Sequence, residues 1–371
     1  MNSTRHVDGP IRILHVLNSL NCGGAETMVM NLFRCMVHKG FYFDFVLQTS
    51  EKCYYTDEVQ SLGGKIFSSP RFAPDHVPSY CRWWDTFLSQ HPEYKIVHGH
   101  NNGPAAFYLK SAHEHDAVAI AHSHSIVFGA GVYGLAKRMF QYPIRNVADV
   151  RLACSYEAGV ALYGNRFSFE VLPNGIPFEK YSYHLVYRDE IRQELDIPQD
   201  AMVICSVARF SDIKNQSFII DVEKRLIEDG ANAYALFAGD GELRTACEAR
   251  ALELGVAKRC RFLGVRKDTE RLLSASDVFV MPSLYEGLPL AAVEAQASGI
   301  SVLLSSNIPR EADIGGNVRF LPLESSDLWA REVPRFVQES KDRGDISSLD
   351  RSFDINVSSK RLAGLYRNLL K

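Results

Sequence analysis

One pattern constrains this chain more than any other, and it occurs twice. Ile11–Leu17 (IRILHVL) is a short, continuously apolar run, as a strand buried on both faces requires. A glycine-containing turn, Asn18 to Gly24, follows it, then a helical segment over about 25–38. Further strand-like runs lie at 42–47, 65–67, 95–98, 117–122, 151–154 and 169–172, most of them separated by helical segments. The pattern restarts with a strand at 201–208 and a helix at 215–229, then a strand at 234–238 and a helix at 243–254. Strands at 260–263 and 277–281, a helix at 289–298 and a strand at 301–304 complete it. Strands joined through helices pair in parallel, with the helices covering both faces. The fold class expected is therefore α/β, with two doubly wound, Rossmann-like parallel-sheet domains. The stretch 173–198 is polar and aromatic and reads as an irregular inter-domain connection. The expected domains are 1–175 and 176–355, with an amphipathic helix over 356–371 packing back on the first.

At 371 residues, 46% hydrophobic and 23% charged, the chain has enough apolar surface for two cores. A net charge of −3 carries no basic footprint, so no nucleic-acid partner is expected. The eight cysteines form no C-x-x-C pair and read as reduced thiols of a cytoplasmic protein. The N-terminal MNSTRHVDGP has no apolar core of a signal peptide. The longest apolar stretch, Ile126 to Ala136, is too short and Gly-rich to cross a bilayer. The region 128–151 mixes Phe128, Tyr133, Phe140 and Tyr142 with Lys137, Arg138, Arg145 and Arg151. Such a stretch can lie on an anionic membrane surface, or pack as a core helix with a solvated basic edge.

Three segments carry chemistry. In the first, Gly23 and Gly24 lead into Ala25-Glu26 at a helix start, which suits an anion or merely a tight turn. In the second, Arg209 and Lys214 follow the 201–208 strand, where two cations can hold a diphosphate or stand as solvated charges. In the third, Glu286-Gly287-Leu288-Pro289-Leu290 opens a helix that carries Glu294. Gly287 lets a ligand approach the backbone, the N–H groups of Leu288 and Leu290 can face an anion, and Glu294 can accept hydrogen bonds from vicinal hydroxyls. Asp-x-Asp occurs nowhere, so the usual metal-chelating device for a nucleotide diphosphate is missing. Three H-x-H pairs, His98/His100, His113/His115 and His122/His124, are far apart in sequence and lack carboxylate or Cys ligands at useful spacing. A metal site is therefore not expected. His122 and His124 stand apart, because they end a parallel strand where open α/β sheets bind ligands.

These residues resemble retaining glycosyltransferases of the GT-B fold, family 4, especially those building bacterial exopolysaccharide and capsule. The matching segments include HVLNSLNCGGAETMVMNLFR, VHGHNN, IAHSHS, VLPNGI, VARFSDIKNQ, LFAGDGELR, FLGVRKD and VFVMPSLYEGLPLAAVEAQASG. The resemblance implies two domains facing a cleft and a nucleotide-sugar donor, expected to be UDP-linked, with no metal cofactor. It implies a saccharide or lipid-diphosphate-linked acceptor and peripheral attachment to the inner face of the membrane. Arg209 and Lys214 would neutralise the leaving diphosphate, and Gly287, Leu288, Pro289 and Leu290 would hold the sugar and phosphate through backbone groups. Glu286 would contact the sugar near the reacting carbon, and Glu294 the ribose. Val265 and Arg266 would hold the base, Gly23 and Gly24 the phosphate or acceptor end, and His124 would lie near the reacting sugar, with His122 the next candidate. The chain departs from the family at Ala208, where Gly often stands, and at Ser306-Asn307-Ile308-Pro309-Arg310-Glu311, which lacks the frequent Gly-Gly.

Rival readings stay open on the residues alone: a nucleotide-sugar epimerase, a sugar phosphorylase, and a non-catalytic sugar-nucleotide-binding subunit. A dinucleotide dehydrogenase fits least. Gly239-Asp240-Gly241 lacks the third glycine and the ribose carboxylate at the required spacing.

Overall fold

The computed structural model describes residues 9–21, 23–124, 139–339, 343 and 346–371. Cys22, the apolar stretch 126–136 and Phe128, Tyr133, Lys137 and Arg138 lie outside the described residues. The chain forms two compact units, Met1–Ile176 with Ser352–Lys371, and Pro177–Arg351.

In the first unit, β1 (Ile11–Leu17), β2 (Phe41–Leu47), β3 (Ile66–Ser68), β4 (Ile96–Gly99), β5 (Val118–Ser123), β6 (Val150–Ala153) and β7 (Glu170–Val171) form a parallel sheet ordered β3-β2-β1-β4-β5-β6-β7. Side-chain alternation divides the core. Ile13 and Leu17 of β1 pack toward the helix Gly24–Val37, while Leu14 and Val16 pack toward the helices Val77–Gln90 and Ala105–Glu114. The C-terminal helix Ile355–Leu369 starts at Asp354, whose side chain accepts from the Asn356 N–H. It buries Leu362, Ala363 and Tyr366 in the core shared with the helix Gly24–Val37. The chain re-enters this unit through a backbone bond from the Ile176 N–H to Phe353 O, 2.9 Å.

In the second unit, β8 (Met202–Val207), β9 (Ala233–Ala238), β10 (Cys260–Gly264), β11 (Val278–Met281), β12 (Ser301–Ser305) and β13 (Val318–Leu321) are ordered β10-β9-β8-β11-β12-β13, again in parallel. In each sheet the strand order reverses beside its first strand, between β1 and β4 and between β8 and β11. Loops leaving such a pair diverge to opposite faces and open a crevice at the strands' carboxyl ends.

One expectation needs correction. The stretch 173–198 is not irregular: it holds the helices Phe178–Tyr181 and Leu185–Glu194 within the second unit. Arg192, fully buried, anchors the longer one by hydrogen bonds to the carbonyls of Ala275, Pro198, Gln199 and Ala201 and an ion pair with Asp277. A buried arginine looks polar in sequence, which hides the helix's inner face. The elements after 304 were also not anticipated. β13 is a half-buried edge strand, and the helix Ser326–Glu339 contains Pro334 yet buries Trp329, Ala330, Val333 and Phe336.

Candidate functional site

The second unit assembles the chemistry at its reversal point. After β8 the chain passes Arg209, makes a short 3-10 turn at Asp212–Lys214 and enters the helix Gln216–Glu228 through Asn215 in the left-handed region, φ 54°. After β11 it passes Glu286 and enters the helix Leu290–Ala297. The two loops are stitched together: Leu284 N–H donates to Ile213 O at 2.8 Å, and Asn215 Nδ2 to Pro282 O at 3.2 Å. That stitching brings Lys214 Nζ to 2.5 Å from Glu286 Oε1, with Glu286 only 9% exposed. A buried carboxylate needs such a partner.

Arg209 behaves differently. Its side chain is exposed and pairs with Glu242 at 3.0 Å, so the structure gives the two cations different partners. Its loop is shaped by glycines. A Cβ on Gly239 (φ 141°) would come 2.0 Å from Ala208 O, and one on Gly241 (φ 155°) 2.3 Å from Phe210 O. The Gly-Asp-Gly segment is thus the backbone wall against which the Arg209 loop rests.

Glu294 sits on the helix Leu290–Ala297, one turn beyond its start. Burial pushes its carboxyl up to about 7, against a hydrogen bond from Tyr181 and the charge of Lys180, with Glu270 adding to the rise. The Tyr181 contact was not anticipated from sequence. The N–H groups of Gly287, Leu288 and Leu290 take no backbone acceptor among the described residues, and a Cβ on Gly287 would meet nothing within 4 Å. Packing within the chain therefore does not require glycine there. Val265 is exposed, whereas the Arg266 guanidinium is held by Glu194 at 2.7 Å and Asp268 at 2.8 Å, which raises its pKa. The Arg266 guanidinium is thus not a free cation.

In the first unit Gly23 caps the helix Gly24–Val37 in an extended conformation. The Glu26 carboxylate folds back over it, so that a Cβ on Gly23 would lie 2.3 Å from Glu26 Oε2. Burial raises the Glu26 carboxyl, while its hydrogen bond to its own backbone N–H opposes the rise. The positive end of this helix is already met by a carboxylate.

The histidines give a result that the sequence hid. His15 lies opposite His98 in the β1–β4 register; His98 and His122 stand on β4 and β5, and His100 and His124 follow directly after those strands. His15 Nδ1 is 2.9 Å from His100 Nε2, and His100 Nδ1 is 2.9 Å from His124 Nε2. His98 Nε2 is 3.3 Å from His122 Nδ1, and His98 Nδ1 is 2.6 Å from the Tyr366 hydroxyl. Distance in sequence, the argument against a shared site, thus fails for two of the three pairs. The groups His15/His98/His100 and His100/His122/His124 each bring three ligand nitrogens within 4.8 Å of one another. Burial drives His15 down to about 3 and His124 to about 4, and holds His98, His100 and His122 well below the ordinary value. His113 and His115 lie elsewhere, bound to Asp149 and Asp85 at 2.8 Å each.

Two Rossmann-like parallel sheets of this strand order have the GT-B fold. The chain belongs to glycosyltransferase family 4 and is a hexosyltransferase: residues 22–180 match the family described as Glycosyltransferase Family 4, and 187–347 that described as Glycosyl transferases group 1. It is 35% identical over 334 residues, 87% of each chain, to the putative glycosyltransferase EpsF of Bacillus subtilis (strain 168). It is 28% identical over 320 residues to the Escherichia coli UDP-Gal:alpha-D-GlcNAc-diphosphoundecaprenol alpha-1,3-galactosyltransferase, covering 80% of this chain and 79% of that one. The fold matches Anabaena HepE, solved in complex with UDP and glucose, at a TM-score of 0.79 and 17% identity, covering 96% of this chain and all (100%) of that one.

Proposed function

We propose that this protein moves a hexosyl or N-acetylhexosaminyl group from a UDP-sugar, with retention, to a lipid-diphosphate-linked saccharide during exopolysaccharide or capsule assembly. The observation that carries the reading is the meeting of Lys214 and Glu286 at the strand-order reversal of the second sheet. The activity named for the E. coli relative supports the donor and acceptor classes, and HepE's complex supports UDP.

The chain's own groups supply the chemistry. A lysine held by a carboxylate is preorganised, and a phosphate oxygen can replace that carboxylate as its partner. Negative charge building on the departing diphosphate is met by Lys214, Arg209 and the free N–H groups of Gly287, Leu288 and Leu290. Pro289 sets the entry to that helix with φ −78° and ψ 104°. Glu286, released from Lys214, accepts from donor-sugar hydroxyls, Glu294 accepts from the ribose, and Val265 and Arg266 hold the base through their backbone. In the first unit Gly23 and Gly24 meet the phosphate or acceptor end and His124 the reacting sugar. Retention follows from attack on the face the phosphate leaves, with the phosphate taking the acceptor proton. The transfer uses no metal, and the protein works at the inner membrane face; of the residues read for that contact Tyr142 is exposed, whereas Arg145 and Arg151 donate to the carbonyls of Leu162 and Arg145. Among the described residues no helix is long and apolar enough to cross a membrane.

The test is transfer from UDP-glucose, UDP-galactose and UDP-N-acetylglucosamine to a diphosphate-lipid saccharide, with and without EDTA. An α-linked product formed equally in both supports the reading. Activity lost to EDTA and restored by Mn2+ refutes metal independence, and a β-linked product refutes retention. Flotation with anionic vesicles tests the membrane contact, and failure to float removes it.

A further inference from the structure

Among the described residues two groups of three histidines, His15/His98/His100 and His100/His122/His124, each hold three ring nitrogens within 4.8 Å of one another. The first group is closed. Both nitrogens of His98 are taken, Nε2 by His122 at 3.3 Å and Nδ1 by the Tyr366 hydroxyl at 2.6 Å. The His15 ring lies against Phe43 and Phe45, at 4.1 and 5.8 Å between centroids. The second group is open. His122 Nε2 and His124 Nδ1 are buried with no partner, and His122 is only 1% exposed. The His124 ring as a whole is half-buried, which gives the group access to solvent. A ring nitrogen shut away from water without a partner is costly and asks for a ligand.

The nitrogens left over suit one divalent ion. His100 Nε2 is held by His15 Nδ1 at 2.9 Å, and His122 Nδ1 by His98 Nε2 at 3.3 Å, which leaves His100 Nδ1 and His122 Nε2 to face a ligand. Outer partners of this kind fix the orientation of a metal-binding imidazole. His124 brings its Nε2 to 2.9 Å from His100 Nδ1. Nitrogens bound tetrahedrally at about 2.1 Å from zinc stand about 3.4 Å apart, so this pair need part by only a few tenths of an ångström. Burial keeps all three rings neutral at pH 7, so no proton competes for their lone pairs. The group contains no carboxylate, which suits Zn2+ and its neighbours among the transition metals rather than the Mg2+ or Mn2+ that accompanies a diphosphate.

We propose that His100, His122 and His124 bind one zinc-like divalent ion in the first unit, and that the bound ion takes His124 away from the sugar and so inhibits transfer. The inhibition rests on the proposed contact of His124 with the sugar; the binding does not. The ion has no part in the transfer itself, whose departing charge the proposed function assigns to Lys214 and Arg209 in the second unit. Each ring gives the ion a lone pair and carries its proton on the nitrogen turned away, so no proton is released. Three protein ligands leave the fourth position to water.

Titration of the untagged, metal-stripped full chain with Co2+ tests the site. One Co2+ per chain is expected, with visible absorption bands of tetrahedral intensity that Zn2+ abolishes by displacement. His100→Gln and His122→Gln, checked for folding by circular dichroism, should each weaken binding by more than the roughly 100-fold that loss of an outer partner costs. The double variant His113→Gln/His115→Gln, altered where each ring already meets an aspartate, should bind as wild type does. Absence of the bands, bands that survive in both single variants, or bands lost in the double variant overturn the site. X-ray absorption at the zinc edge of the wild-type protein settles the matter even where a variant fails to fold: three imidazole ligands support the site and two or fewer overturn it. Zn2+ should inhibit sugar transfer over the concentrations at which it binds, and EDTA should restore the rate. Zn2+ bound without inhibition overturns the inhibitory role. If His124→Ala then transfers sugar at the full rate, the ion site stands and the contact of His124 with the sugar falls.

Discussion

Glu294 offers the sharpest link between structure and binding. Burial holds its carboxyl at about 7, so the group changes charge within the range where the protein is assayed. If ribose hydroxyls donate to the ionised carboxylate, the donor binds only that form. Roughly one molecule in eleven is ionised at pH 6 and ten in eleven at pH 8. Affinity for UDP-glucose should therefore fall about tenfold from pH 8 to pH 6, or about 1.4 kcal/mol, with uptake of a carboxyl proton opposing binding. UDP-glucose suits the test, because its diphosphate is esterified at both ends and has no second ionisation in this range. Calorimetric titration of wild type and Glu294→Gln at pH 6, 7 and 8 checks the reasoning. The Gln variant should bind about as weakly at every pH as wild type does at pH 6. A slope that persists in Glu294→Gln, or wild-type binding that is flat with pH, refutes the assignment of Glu294 to the ribose.

Three further outcomes follow from the same geometry. Glu223 is fully buried with neither carboxylate oxygen partnered, and burial raises it to about 8. The folded state then binds more protons than the unfolded, so stability falls as pH rises from about 4.5 to 8; Glu223→Gln should remove up to about 5 kcal/mol of that loss, seen as a higher Tm at pH 9 and an unchanged one at pH 5. Lys214→Met should cost roughly 10²–10³ in kcat while the protein stays folded by circular dichroism, and full activity would remove Lys214 from the leaving-group site. Gly239→Ala should destabilise by about 1–3 kcal/mol in a denaturant titration and weaken donor binding, because its Cβ would displace the Arg209 loop at Ala208 O; unchanged stability and affinity would refute the role given to that wall.

Most of the architecture was legible because its signals are local. Runs such as IRILHVL and AMVICSVA are buried on both faces, so their hydrophobicity needs no knowledge of a partner. Elements that bury one mixed face were harder to see. The helix Leu185–Glu194 hides behind the polar name of Arg192, and Ser326–Glu339 behind Pro334. In the candidate site, Glu286, Gly287 and Glu294 stand in one contiguous segment and were readable together. Lys214 was readable as a cation but not as the partner of Glu286, 72 residues away.

Sequence alone set the alternation of strands and helices, the glycines at sharp backbone approaches and the charge types available, because each depends on a residue and its near neighbours. Tertiary structure decided which of those charges meet and which rings it brings together. His15, His98 and His122 stand on three strands whose adjacency is fixed by sheet order, with His100 and His124 directly after two of them, and their lowered basicity arises from burial that no single strand possesses. The same physics acts at Glu294, whose side chain is an ordinary acid until the fold takes water away from it.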